Sequence, residues 1–436
     1  MTMAEQSPIP FPLPEAPSLY HPAPELAELR EQRPVAPVRF PDGATAWLVT
    51  RHADVRQVLT DPRFCRAQAV AGTVEMGLGQ LASESILGMD PPEHTRLRRL
   101  VADAFTARRV ERLRPRTVEI VDELLQHVRS LPQPVDLVEN FSLALPVRVI
   151  CELLGVPAAD QGRFHTWSDA AMGDQSRDPK IMMAAFSSLQ AYFTELIAAK
   201  RAQPADDLMT ALIAARDHHD RLSEKELTNL GISLLLGGHE TTANQIVMIL
   251  LTLRAHPGQW AKLRADPGTV PAALEELMRF TQLGGGSGGI ARMTTEPVEL
   301  SGVTIPAGHA VLPALTAANR DPRAFAEPDE LDLDRDAQGH IGFGAGVHHC
   351  LGAQLARMEL QEALAGLLRW LPGFEVAVDD ADIAFKPTMI LRSVEHLPVR
   401  WDASRRRLLP DGGDSAARHG DRIRDQLGVT PRPDAR

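Results

Sequence analysis

Apolar residues recur along most of this chain at intervals of three and four, the spacing that gathers them on one face of a helix. The pattern predicts helices over residues 52–59, 94–105, 107–128, 146–154, 181–201, 205–216, 271–280 and 351–371. Short apolar runs that predict strands are fewer, at 46–50, 298–300, 303–305, 310–312 and 374–376. Helices outnumber strands and do not alternate with them one to one. That disfavours a doubly wound sheet or a barrel and predicts a mainly α fold with a smaller β region. No repeat at a period of a few tens of residues is present.

One predicted helix stands apart. Ser223 and Glu226 have capping-box spacing, with Leu222 just before them, and the helical pattern then runs to His256, where Pro257 stops it. Such a helix is about 50 Å long at 1.5 Å per residue. Its middle reads LLLGGHETTANQIVM, Leu234 to Met248. Two glycines inside a helix cost roughly 1 kcal/mol each relative to alanine. A carboxylate in apolar surroundings costs more unless it is paired or wet. The break therefore marks a place that needs space and polar atoms. It also shortens the apolar run below the ~20 residues that a bilayer requires, so no membrane span is expected.

Composition narrows the classes. The chain has 436 residues, 44% of them hydrophobic, and a formal net charge of -11. That length can enclose a cofactor within one large core. The acidic balance and the absence of a long Lys/Arg run argue against nucleic-acid binding. The start, MTMAEQSPIPFPLPEAP, has neither a basic opening nor an apolar run, so a cytoplasmic protein is expected. Three cysteines, Cys65, Cys151 and Cys350, read as reduced thiols, and Cys151 as a core residue. The polar stretch from Ser404 predicts a mostly disordered tail with a short helix near 415–426, leaving residues 1–403 as one domain.

Cys350 has different surroundings, IGFGAGVHHCLGAQLARMEL, residues 341–360. Gly344, Gly346 and Gly352 permit tight turns and close approach to a flat object. The cysteine stands at the start of a predicted amphipathic helix, whose free N–H groups and dipole favour a thiolate. Phe343 can shield the sulfur from water. This reads as a single-thiolate metal site. Zinc is the competing metal, but His348 and His349 cannot both reach one tetrahedral ion alongside Cys350, and no CxxC partner exists. The HETTA segment lacks the second histidine of a zincin, since Ala243 stands there.

Phe343-Gly344-x-Gly346-x-His348-x-Cys350-x-Gly352 resembles, position for position, the haem-binding signature of the cytochrome P450 monooxygenases. Three further segments are similar to that family's and follow in its order: the propionate helix MDPPEHTRLRRLV (89–101), the oxygen-activating GGHETT, and Glu276-x-x-Arg279. The resemblance spans about residues 15 to 402. It implies the P450 fold, a triangular helical domain with its long central helix over the haem. The cofactor would be haem b, iron protoporphyrin IX, with Cys350 as axial thiolate. Phe343, Gly344 and Gly352 would shape the ligand loop. His94, Arg98, Arg292 and His348 would hold the haem propionates. Gly237 and Gly238 would leave room for dioxygen and substrate, and Glu240 and Thr241 would relay protons. Glu276 and Arg279 would form a buried pair with a third basic group, Arg335 in preference to His340.

The implied activity is insertion of one oxygen atom from O2, by hydroxylation or epoxidation, into a fairly large organic substrate in natural-product biosynthesis. The glycine-rich QLGGGSGGIAR, 282–292, would widen the pocket. Other expected linings are 67–86, 167–193, Leu234, 283–291 and 389–390. Two readings of different kinds stand beside it: oxidative coupling on the same scaffold, and a haem sensor or carrier without turnover. The resemblance further implies electrons from NAD(P)H through a separate ferredoxin and ferredoxin reductase. Arg63, Arg66, Arg99, Arg108, Arg109 and Arg357 would form a basic docking patch for the ferredoxin.

Overall fold

A computed structural model describes residues 7–14, 20–71, 85–172, 179–217, 222–281, 283, 289–386 and 392–402. Its helices are α1 (Pro24–Gln32), α2 (His52–Thr60), α3 (Glu93–Ala102), α4 (Ala107–Ser130), α5 (Ala144–Leu154), α6 (Gln161–Met172), α7 (Pro179–Ala202), α8 (Leu208–Asp217), α9 (Glu224–Ala255), α10 (Pro257–Ala265), α11 (Val270–Phe280) and α12 (Ala353–Trp370). Shorter helical turns lie at Ala67–Ala71 and Leu315–Ala318. The predicted tail and the glycine run at 284–288 lie outside the described residues.

The long helix forms as its caps dictate. Ser223 Oγ accepts from Glu226 N–H at 3.1 Å, and Glu226 Oε2 accepts from Ser223 N–H at 2.7 Å. These bonds satisfy the orphan donors of the first turn. The helix then runs for 32 residues. Its residues from Thr242 to Leu253 are buried without interruption, so the helix is a core element wrapped by others. Helix α9 packs on α5, α7, α8 and α12, and α4 lies along α12. Two glycines make these crossings close. A Cβ at Gly231 would stand 2.6 Å from the Phe193 ring, and one at Gly366 2.3 Å from Val121 Cγ1. Phe193, expected at the edge of a substrate pocket, belongs to this core instead.

The strands are β1 (Ile9–Pro10), β2 (Val35–Arg39), β3 (Thr45–Val49), β4 (Phe64–Cys65), β5 (Val135–Asp136), β6 (Arg292–Thr294), β7 (Val298–Leu300), β8 (Val303–Ile305), β9 (Ala310–Pro313), β10 (Glu375–Val376) and β11 (Pro398–Arg400). The main sheet has the order β1-β2-β3-β9-β6-β4, with β10-β11-β5 and the hairpin β7-β8 beside it. Strand β2 contains Pro37, a residue that speaks against a strand, yet it pairs antiparallel with β3 in the register Pro37↔Trp47. Antiparallel pairing of β4 with β6, Cys65↔Met293, sets the residue after Cys65 close to Arg292. No helix among the described residues is long and apolar enough to cross a membrane.

Candidate functional site

The loop before α12 is built by backbone contacts that admit little freedom. Gly346 has φ +69, and a Cβ there would stand 2.3 Å from the Leu59 carbonyl oxygen of α2. Glycine is required twice over, by conformation and by space. Gly344 also has a left-handed φ of +70. Gly344 N–H donates to Ile341 O at 2.9 Å, His349 N–H to Gly346 O at 3.0 Å and Cys350 N–H to Phe343 O at 2.9 Å. Helix α12 starts three residues beyond the cysteine, with Gly352 as N-cap, slightly later than the pattern predicts.

Cys350 is exposed by surface area. Burial is nonetheless the largest influence on its thiol and pushes its pKa up. Its sulfur is thus crowded by protein atoms although part of its surface is open. A backbone N–H at Gly352 and the charges of Arg98 and Arg357 pull the thiol the other way, towards thiolate. Arg98 Nη2 donates to His349 O at 2.6 Å, joining α3 to the loop. The Arg357 guanidinium lies over the Phe343 ring, 4.5 Å from its centroid. Among the described residues, no three His, Cys, Asp or Glu side chains are grouped to hold a metal ion.

Beside the loop is a cationic cradle. The His94 and His348 rings meet at a tilt of 51°, with centroids 4.2 Å apart. Arg66 Nη1 lies 3.4 Å from His348 Nδ1. His94, Arg66 and Arg292 are all buried. Burial is the first cause in each case: it lowers Arg292 to about 10, and lowers His348 to about 2 with help from the Arg66 and Arg292 charges. Four buried atoms of the cradle, Arg66 Nε, His94 Nδ1, Arg292 Nη2 and His348 Nε2, have no hydrogen-bond partner. Unpartnered buried donors are expensive and point to a missing acceptor. Haem fits this donor set: its two carboxylates would meet the cradle, and its iron would meet a single thiolate. The sequence singled out His94, Arg98, Arg292 and His348, and the structure brings them together. It missed Arg66, which reads in sequence as one more surface arginine.

The break in α9 is asymmetric. Gly237 is exposed within a run that is otherwise buried or half-buried, and a Cβ on it would meet nothing within 4 Å. Gly238 faces the opposite situation: its Cβ would stand 3.3 Å from Ile150 Cδ1 on α5. Only the first glycine opens space; the second permits helix packing. Thr241 Oγ1 donates to Gly237 O at 2.9 Å, the back-bond common to helical threonines. Glu240 is half-buried.

A buried ion pair lies in α11. Arg279 Nε and Nη2 bind the Glu276 carboxylate at 2.7 and 2.8 Å, and Arg335 Nε joins at 3.1 Å. His340 does not take part; its Nε2 meets Glu275 at 3.1 Å. Arg279 also donates to Asn319 O at 2.8 Å, and the Asn319 side chain accepts from Ile341 N–H at 2.8 Å. The pair is thereby tied to the first residue of the cysteine loop. The proposed basic patch is smaller than expected. Arg66 is buried, Arg63 binds Asp61, and Arg357 is held by Glu275, which leaves Arg99, Arg108 and Arg109 exposed.

Comparison with known proteins gives a consistent picture. The family model for cytochrome P450 matches residues 150–393. Nocardicin C N-oxygenase of Nocardia uniformis subsp. tsuyamanensis is 47% identical over 403 residues, covering 92% of this chain and 100% of its own. Mycinamicin IV hydroxylase/epoxidase of Micromonospora griseorubida is also 47% identical, covering 86% of this chain and 94% of its own. The crystal structure of the LnmA cytochrome P450 hydroxylase from the leinamycin biosynthetic pathway of Streptomyces atroolivaceus superposes with a TM-score of 0.84 at 44% identity, covering 90% of this chain and 100% of that one.

Proposed function

The chain belongs to the cytochrome P450 family, and from that premise we propose how its own residues serve the reaction. It is an oxidoreductase, a haem-thiolate monooxygenase of natural-product metabolism. In this reading Cys350 would hold the haem iron, and His94, Arg98, Arg292 and His348 would hold the haem carboxylates. The observation that carries it is the set of buried, unpartnered donors on His94, Arg292 and His348 beside the cysteine loop. Bound haem would supply the chemistry of dioxygen activation, and the Cys350 thiolate would supply electron density to it.

The chain's part is to bind, shield and move protons. Arg98 and Arg357 supply positive charge near Cys350 and help hold it as an anion. Phe343, fixed under the Arg357 guanidinium, keeps water from the sulfur. Gly237 leaves an opening in α9 where any side chain would intrude. Thr241 gives its hydroxyl hydrogen to Gly237 O, so its oxygen keeps two lone pairs for an ordered water. Rotation of that hydroxyl then turns it from acceptor to donor. Glu240, next in the chain and half-buried, is the source that replaces the proton.

The substrate in this reading is a fairly large natural-product intermediate. The names of the relatives, which act on nocardicin C and mycinamicin IV, support that class, as do the five glycines between Leu283 and Ile290. Electrons come from NAD(P)H through a separate ferredoxin and its reductase. Arg99 supports a docking face there, since its neighbour Arg98 touches the cysteine loop.

The test is spectroscopic. The purified protein, reduced and exposed to carbon monoxide, should show the red-shifted Soret band of thiolate ligation, and Cys350→Ser should lose it while keeping bound haem. A wild-type spectrum without that band rejects the assignment. A library of macrolide and peptide-derived compounds, scored by Soret shift, then tests the substrate class. Product mass separates oxygen insertion from coupling.

A further inference from the structure

Arg66 follows strand β4, whose pairing with β6 brings it beside Arg292. It is 7% exposed. Its backbone N–H and that of Ala67 both donate to the Asp90 carboxylate, at 2.8–3.0 Å. The Asp90 oxygens are thus engaged by the backbone. The guanidinium instead reaches Leu87 O at 2.7 Å and His348 Nδ1 at 3.4 Å, while Nε has no partner. A buried guanidinium without a bound anion is costly. Burial, and next the Arg292 charge, lower Arg66 to about 8.

Arg66, Arg98 and Arg292 bring three cations to the cradle, and the Asp90 carboxylate beside Arg66 is already engaged by backbone N–H groups. Haem's two carboxylates would supply anions to this cationic excess.

We propose that Arg66 is a further cofactor-binding residue, a third arginine that holds the haem carboxylates from the β4 side, with His348 between it and His94. The inference rests on the haem reading above. It gives Arg66 a role in keeping the cofactor seated, and removes it from the electron-donor surface.

The experiment compares haem with haem dimethyl ester, whose carboxylates carry no charge. Wild type, Arg66→Gln and Arg66→Lys are each reconstituted with both, and haem transfer to excess apomyoglobin is timed. With natural haem, Arg66→Gln should release roughly tenfold faster or more than wild type, the size expected of a lost charged hydrogen bond. Arg66→Lys should fall between. With the diester all three should release at one rate. Equal rates with natural haem, or the same acceleration with the diester, would overturn the proposal and make Arg66 a structural pin for Leu87. If Arg66→Gln fails to fold, Arg66→Lys against wild type decides by the same comparison. The carbon monoxide spectrum of each reconstituted protein checks the haem reading separately.

Discussion

Glu275 and Glu276 are neighbours in α11, yet their carboxylates serve two separate charge systems. Glu276 is fully buried with Arg279 and takes Arg335 as its second cation. Glu275 faces the other way and binds Arg357 bidentately, at 2.7 and 2.8 Å, together with His340. Gly342 N–H donates to His340 Nδ1 at 3.0 Å, so the ring carries its hydrogen on Nε2 and donates that to Glu275. One glutamate thus braces the scaffold and the other braces the cysteine loop.

The two should fail differently. Glu276→Gln leaves Arg279 and Arg335 without their anion, and breaking a buried pair in this way typically costs about 3–5 kcal/mol. The expected result is little haem-loaded protein and a large fall in the urea midpoint. Glu275→Gln should fold and load haem, but shift the ferrous–carbonyl spectrum towards the form without thiolate. Haem content and that spectrum, measured side by side, check both.

Acid should act through Glu275. Burial alone would raise its carboxyl, but the hydrogen bonds from Arg357 and His340 outweigh it and hold the group at about 2. A depressed folded pKa contributes stability that is whole above the unfolded value of about 4.3 and disappears as pH falls through the folded value. The stability gap between wild type and Glu275→Gln should therefore be constant above about pH 5 and narrow steadily below about pH 4.3. Urea melts across that range check it; a gap that widens in acid would contradict the pairing.

Alanine at the two glycines of α9 should have opposite signatures. Both substitutions gain helix propensity of up to about 1 kcal/mol. At Gly238 the new methyl presses on Ile150. At Gly237 it meets nothing within 4 Å but enters the opening. Gly238→Ala should lose some or all of the propensity gain in thermal stability with little change in ligand affinity. Gly237→Ala should melt no lower than wild type and bind large ligands more weakly, as read from Soret titrations.

Thr241→Val should leave stability within about 1 kcal/mol, because its bond to Gly237 O is a local back-bond that the helix does not need. Product formed per reductant consumed should fall sharply. Unchanged coupling would remove the hydroxyl from the proton path.

Reversal of charge at Arg109 should slow reduction by ferredoxin at low salt, with the effect fading as ionic strength rises past about 0.1 M, where the Debye length is about 10 Å. Arg63→Glu is the comparison: Arg63 already binds Asp61, so its reversal should matter less.

The long helix and the turns of the cysteine loop were legible in the sequence because each rests on local rules, a capping box and glycine-defined turns; the Glu276–Arg279 pair was legible only through the family resemblance, which the i,i+3 spacing permits. Strand β2 was not, because Pro37 masks a segment that tertiary pairing with β3 nevertheless makes a strand. Arg66 was not, because nothing local distinguishes a buried arginine from an exposed one; only the pairing of β4 with β6 carries it to Arg292. Gly237 and Gly238 look equivalent in one dimension, and Ile150, far away in the chain, separates them.

Asn319 receives Arg279 on its carbonyl and Ile341 on its side chain. The cysteine-bearing segment is therefore suspended from a residue that also closes the fully buried Glu276–Arg279 pair. Loss of that link should loosen the cysteine loop and the α11 charge cluster together. Pigmentation of the purified protein is then a visible certificate that the α11 side has matured, and an Asn319→Ala chain should emerge pale even though no atom of that side chain belongs to the cofactor's cradle.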